Sequence, residues 1–194
     1  MGIINKLTCK MIFLFNFYKL MSRTKDKFLS LIIRFLYGFK SIGKNFDVAF
    51  PFIVTFPNNI TIGDNFISMQ NLYLYADQGE VVIGNNVAIN TNVVIGGSGS
   101  KIIIGNNVLI GPNVVIRAAN HSYKNKNKLI NKQGHIAQPI TIEDDVWICS
   151  NVVITSGVTI KKGSVIGAGS VVTKNVDEYS VIAGIPSKLI GKRY

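Results

Sequence analysis

The chain has two histidines, His121 and His135, and both fall within one stretch running from Arg117 to Gln138. An imidazole, with an ordinary pKa of about 6.5, is the side chain best suited to move a proton at neutral pH, so either could act as a general base. The plain alternative for each is a histidine solvated in a loop, and spacing alone leaves both readings open. Around them stand Arg117, Lys124, Lys126, Lys128 and Lys132, with no acidic residue. Such a cluster would draw an acidic or phosphorylated molecule toward the ring. A cysteine nucleophile is the other chemistry to weigh. Cys149 has no basic neighbour in sequence to favour its thiolate, and Cys9 and Cys149 together make no disulfide framework. A reducing compartment follows from that cysteine usage. The expected location is cytoplasmic, with a peripheral position at the inner face of the membrane as the alternative.

What must position the histidines is a repeat. Ile142, Ile148, Ile154, Ile160, Ile166 and Val172 recur every sixth residue, each followed four positions on by Val146, Val152, Val158, Ser164, Ser170 or Val176. A helix repeats near 3.6 residues and a strand near 2, so a sustained period of six demands a short strand and a corner, over and over. Three such sides close a triangular coil of about eighteen residues, and stacked coils form a parallel β-helix. Ile104, Ile110 and Ile116 keep the spacing, as do Ile83, Ile89 and Ile95 and, more weakly, Ile42, Val48 and Val54. Between the coil starts Ile42, Ile62, Ile83, Ile104, Ile142 and Ile160 the excess over eighteen is 2, 3, 3, 20 and 0 residues. Three corners therefore carry small insertions and one, at residues 117–138, a long one. Loops of roughly 20 residues without secondary structure of their own are uncommon in compact folds and usually functional. Corners such as Ile83-Gly84-Asn85-Asn86-Val87 are filled by Gly and Asn because a sharp turn needs backbone that tolerates positive φ. A β-sandwich fits worse, since its strands alternate with period two and turn every 8 to 12 residues or so.

The net charge of +11 is uneven. Residues 1–46 hold nine basic side chains against one acidic, and 117–138 five against none, whereas 47–116 hold one basic against four acidic. Charge confined to an arm and a loop argues against a nucleic-acid groove running along the body. The arm, residues 1–40, reads as helical from the apolar run Met11, Phe13, Leu14, Phe15, Phe17 and Tyr18 and from the spacing of Phe28, Leu31, Ile32, Phe35 and Leu36. The first run falls short of the ~20 residues a bilayer span requires, and no small-residue cleavage site follows it as in a secretory signal. Two roles stay open for the arm: a cap over the open end of the β-helix, or a basic and aromatic face resting on anionic lipid.

Several ordered motifs carry a family resemblance over residues 60–190. They are Pro139-Ile140-Thr141-Ile142-Glu143-Asp144-Asp145-Val146-Trp147-Ile148-Cys149-Ser150, Val165-Ile166-Gly167-Ala168-Gly169-Ser170-Val171-Val172-Thr173-Lys174 and Ala183-Gly184-Ile185-Pro186-Ser187-Lys188. The chain resembles the hexapeptide-repeat O-acetyltransferases, especially the maltose/galactoside and capsule or O-antigen group. The resemblance implies a left-handed parallel β-helix, a homotrimer, and acetyl-CoA bound as acyl donor between neighbouring subunits, with no metal. It places the catalytic base on His121, in Asn120-His121-Ser122, and leaves His135 as a solvated loop residue, since the family motif has no second histidine there. By the same resemblance the Ser150 amide is an oxyanion donor, Ala168, Thr173, Lys174 and Lys188 contact CoA, and Asn90 contacts the acceptor. Trp147 is expected at the subunit seam or beside the acceptor. The family's acidic acceptor contact is missing, because Gly96-Gly97-Ser98-Gly99-Ser100-Lys101 stands in its place. Glycine is commoner in the family where Cys149 stands.

Other functions are less well served. The zinc of a γ-class carbonic anhydrase requires three histidines. An ice-binding scaffold requires a flat repeated Thr face, and serine O-acetylation a large helical N-terminal domain. The expectation is therefore an acetyl-CoA-dependent O-acetyltransferase acting on a hydroxyl of a sugar or surface-glycan precursor. The alternative is N-acylation of a nucleotide-linked amino sugar. The expected partition is an arm (1–40), a β-helix domain (41–178) and a C-terminal tail (179–194).

Overall fold

A computed structural model describes residues 28, 30–34 and 36–194. Cys9 and the apolar run Met11 to Tyr18 lie outside the described residues, as does Phe35. From Ser41 onward the chain winds into a three-faced parallel β-helix, with sheets of six, eight and six strands and a separate two-stranded sheet. The register follows the six-residue spacing rung by rung. On the first face Ile42 pairs with Ile62, Ile62 with Ile83, Ile83 with Ile104, Ile104 with Ile142 and Ile142 with Ile160. The pairing of Ile104 with Ile142 holds across the long insertion. Inward columns from all three faces meet in one core, in which Ile60, Ile95, Ile116, Ile140 and Ile154 are fully buried. On the second face the column breaks at Ser68, whose buried hydroxyl has no partner among the described residues. The bulk of Phe66, stacked on Phe46 at 5.7 Å, fills that coil instead.

The corners explain the Ile-Gly-Asn-Asn motif. At Gly84 an added Cβ would stand 2.7 Å from Gly105 O and 2.8 Å from Asn106 Oδ1, so the rungs close up only around glycine. The next residue accepts a backbone N–H from the rung before: Asp64 N–H donates to Asn85 Oδ1 at 2.7 Å and Asn85 N–H to Asn106 Oδ1 at 2.8 Å. The third residue takes the left-handed turn, with φ near +57° at Asn65, Asn86 and Asn107, which Asn tolerates better than most residues. Its amide then donates to the next rung, Asn65 to Asn86 at 2.8 Å and Asn86 to Asn107 at 3.0 Å. A second Asn ladder, Asn71 to Asn92, Asn113 and Asn151, runs up the edge between the second and third faces.

The third edge has no such ladder, and every insertion gathers there. It holds the 3-10 turn Pro57–Asn59, the turns at 76–79 and 97–100, and the long excursion after Arg117. Below them residues 28, 30–34 and 36 are helical and rest on the first coil. Ile33 is buried with the core, while Ser30 Oγ accepts from Val48 N–H at 3.0 Å. At the other end Ser180–Gly184 adds a parallel strand to the second face and turns back as the antiparallel strand Ser187–Lys192. Arg193 then fastens this hairpin to Asp145 at 3.0 Å. Among the described residues no helix is long and apolar enough to cross a membrane.

Candidate active site

The long insertion is not the structureless loop its length suggests. Arg117 still belongs to the third-face strand Val115–Arg117, and the chain then rises as a β-hairpin, Ala119–His121 pairing antiparallel with His135–Ala137. Small residues let its base sit close to the coils, with Gln138 N–H donating to Ala118 O at 2.9 Å and Ala118 N–H to Gly96 O at 3.0 Å. Asn120 ties the hairpin to the following rung, its amide donating to Ser156 Oγ at 2.8 Å. The tip is wound around the half-buried Gln133, which donates to the carbonyls of Asn125 (2.9 Å) and Lys128 (2.7 Å) and accepts from Asn125 N–H (3.1 Å). The lysine run is thereby shaped around a half-buried amide rather than hanging loose.

His121 and His135 are register partners. Ser122 N–H donates to Gly134 O and Gln138 N–H to Ala118 O, and by that alternation the 121/135 pair is a non-hydrogen-bonded one, in which opposite side chains come closest. The two rings lie with centroids 4.1 Å apart and planes at 41°. His135, expected as a solvated loop residue, is exposed, and its ring lies against that of His121. No sequence motif marks the pair; it needs the hairpin register that the Gly134 turn and the Gln133 knot impose. His121 also lines a cavity of about 340 Å³ together with Ser122, Tyr123, Lys124, Lys128 and Gln133.

The other expected site residues divide between two edges. Asn90, Ser150 and Ala168 occupy the edge between the second and third faces, Ser150 and Ala168 on adjoining coils and Asn90 two coils before Ser150. The Ser150 N–H has no acceptor among the described residues, while in the same row Thr91 N–H is taken by Asn90 Oδ1 at 2.8 Å and Pro112 has no N–H. Asn90 thus spends its carbonyl on its own turn. Thr173 and Lys174 lie exposed on the same edge as the histidine hairpin, two rungs beyond it. Lys188 lies in the C-terminal hairpin opposite Ala183. Trp147 projects outward from the second face in a column with Ile67, Ala88, Leu109 and Val165, and Ile67, Leu109 and Trp147 are each about half exposed. Burial pushes the Cys149 thiol above its ordinary range, the opposite of what a nucleophile requires. Among the described residues no group of three or more His, Cys, Asp or Glu side chains is gathered as a metal site.

This architecture recurs among known proteins. Two repeat-family profiles match the chain: the bacterial transferase hexapeptide (six repeats) at residues 139–174 and the hexapeptide repeat of succinyl-transferase at 101–118. The hexapeptide-repeat-containing acetyltransferase VCA0836 of Vibrio cholerae is 30% identical with a TM-score of 0.58, the match covering 89% of this chain and 90% of that one. Its complex with acetyl coenzyme A matches at 28% identity and a TM-score of 0.53, over 89% of this chain and 87% of that one. A serine-to-alanine mutant of AntD, an N-acyltransferase from Bacillus cereus in complex with dTDP-4-amino-4,6-dideoxyglucose and coenzyme A, shares the fold at a TM-score of 0.72 and 22% identity, over 81% of this chain and 86% of that one. No curated protein sequence matches the chain. The chain belongs to the hexapeptide-repeat acyltransferases, and it is an acyltransferase.

Proposed function

We propose that the protein transfers an acyl group, acetyl in the simplest case, from coenzyme A to a nucleotide-linked amino sugar, with His121 as general base. The observation that carries this reading is the cavity in which the His121 ring, Lys124 and Lys128 come together. The imidazole can take a proton there, and the two cations suit the phosphates of a nucleotide-linked acceptor. The AntD complex, with a nucleotide amino sugar and coenzyme A on the same fold, supports the acceptor class. The acetyl coenzyme A complex of VCA0836 supports the donor.

The chemistry follows from these groups. Neutral His121 takes the proton from the acceptor nitrogen as it attacks the thioester carbon. The Ser150 N–H, free of partners among the described residues, stabilises the oxyanion that develops. Collapse expels the coenzyme A thiolate, which recovers the proton from the imidazolium. Both groups must stand about 3 Å from the reacting atoms. Within one chain the third face, including Val153–Ile154, separates the Ser150 corner from the hairpin edge by roughly 15 Å at ~3.3 Å per residue. The two groups therefore come from different subunits. This geometry supports a homotrimer in which the exposed column of Ile67, Leu109 and Trp147 packs at the seam beside the Ser150 edge. Ala168 would line the coenzyme A path on that edge, with Thr173, Lys174 and Lys188 contributing from the hairpin edge and the C-terminal hairpin. Asn90 would meet the acceptor through its amide nitrogen.

A second reading, O-acetylation of a sugar hydroxyl, is favoured by the Asn120-His121-Ser122 context. Incubating enzyme, acetyl-CoA and a panel of nucleotide amino sugars and nucleotide sugars, with thiol release and product mass as readouts, tests both. An amide product survives hydroxylamine and an ester does not. Hydroxylamine-labile product on non-amino sugars alone would replace the first reading by the second, and absence of thiol release with every acceptor, accompanied by no binding of CoA in titration, would remove both.

A further inference from the structure

We infer that His135 is a positioning residue for His121, holding the catalytic ring in its working direction by tilted ring-to-ring contact; this rests on the reading of His121 as the base. An imidazole on an exposed hairpin has three staggered χ1 wells and a broad χ2 well, and a proton transfer to a bound acceptor uses one of these orientations. Three observations fix the choice here. The two residues are opposed at a non-hydrogen-bonded position, where side chains approach most closely. Their ring centroids stand 4.1 Å apart, within van der Waals contact, and no hydrogen bond joins them. The backbone beneath is held at both ends, by the Asn120 bond to Ser156 and by the Gln133 knot, so the pair meets as two rings on a fixed frame. His135 does not line the cavity that His121 lines, which leaves it behind the base rather than beside the substrate.

The role asks for a flat ring and not for a proton. His135→Ala is expected to lower kcat by about tenfold or more, as a misdirected catalytic group does, with KM for acetyl-CoA and acceptor unchanged. His135→Phe, which restores the flat ring and cannot titrate, is expected to recover most of the loss. Both variants should keep the thermal unfolding of the parent, because the hairpin stands outside the buried core. Wild-type kcat in His135→Ala, or a rise in KM that accounts for the whole loss, overturns the inference, as does a His135→Phe enzyme no better than the alanine variant. His121→Ala assayed alongside separates the two claims. If it retains turnover the general-base reading itself has failed, whereas if it is inactive while His135→Ala is normal only the positioning role falls.

Discussion

Two edges of the prism are built alike and the third is not. The edges flanking the second face carry repeated Asn residues at positive φ, bonded amide to amide from coil to coil, and they tolerate no insertion from Asn45 to Asn151. The edge between the third and first faces has an inserted turn of two or three residues at every rung before the histidine hairpin, held by backbone bonds and by ion pairs such as Lys40–Glu80–Lys101. Uniform corners keep the rungs in register, so irregularity can be concentrated where it does chemistry. The contrast teaches that the repeat and the reaction occupy separate parts of one coil.

The most damaging way to break the comparison is through the core that both regions share. Ile104→Ala leaves a hole on the rung from which the hairpin departs, and deleting such a buried side chain costs about 2–5 kcal/mol. Denaturant unfolding should show the whole loss, with turnover per folded molecule preserved. His121→Ala should do the reverse, lowering kcat by about a hundredfold or more while unfolding at the same denaturant concentration. If His121→Ala instead unfolds early, the hairpin is part of the structural frame and the division between edges is wrong.

Asn86 tests the laddered edge more finely. It combines a left-handed backbone, φ 57°, with a bond to Asn107 at 3.0 Å. Asn86→Ala loses the bond and must hold a Cβ-bearing residue in the left-handed region without a compensating polar side chain, at about 1–2 kcal/mol. Asn86→Gly keeps the turn at ease and should cost less than alanine. An alanine variant as stable as glycine would show that the ladder, not the turn, sets the preference at this corner.

How much of this is legible in the chain follows the same division. Where side chains repeat every six residues, register can be read directly, and even the weakly marked Ile42, Val48 and Val54 pair where the spacing puts them. The jump from Ile104 to Ile142 reads as one coil with a long corner, and the two isoleucines are indeed adjacent. That all four insertions share an edge is implicit in the spacing, since each falls after the third inward residue of its coil. The hairpin inside the long corner is not legible, because it has no period. Its strands are three residues long, and its pairing depends on Gln133 reaching the carbonyls of Asn125 and Lys128. His121 can be picked out by its Asn-His-Ser context, but His135 cannot, since cross-strand opposition exists only once the register is set. Ser150 stands out by resemblance alone; its open N–H is a property of the corner and leaves no mark in composition.

The smallest effect expected distinguishes the edges by what bonds them. Asn amides do not titrate, so the ladder between the second and third faces, Asn71 to Asn151, should be indifferent to mild acid. Glu80, between Lys101 and Lys40 at 2.7 and 2.8 Å, is drawn from its ordinary 4.5 to about 2, chiefly by hydrogen bonding to Lys101 and then to Lys40. A carboxyl that releases its proton more readily in the folded protein stabilises the fold once it is charged in both states, above pH 4.5, and that contribution is lost as pH falls from 4.5 toward 2. The lysines are about half exposed, so screening reduces the gain to about 1 kcal/mol or less, and added salt should reduce it further. Glu80→Gln should therefore melt slightly below the parent at neutral pH and low salt, and the difference should close on acidification through that window. Melting curves that stay parallel from pH 7 to pH 3 would mean that the ion pairs contribute nothing, leaving the third edge held by its uncharged hydrogen bonds.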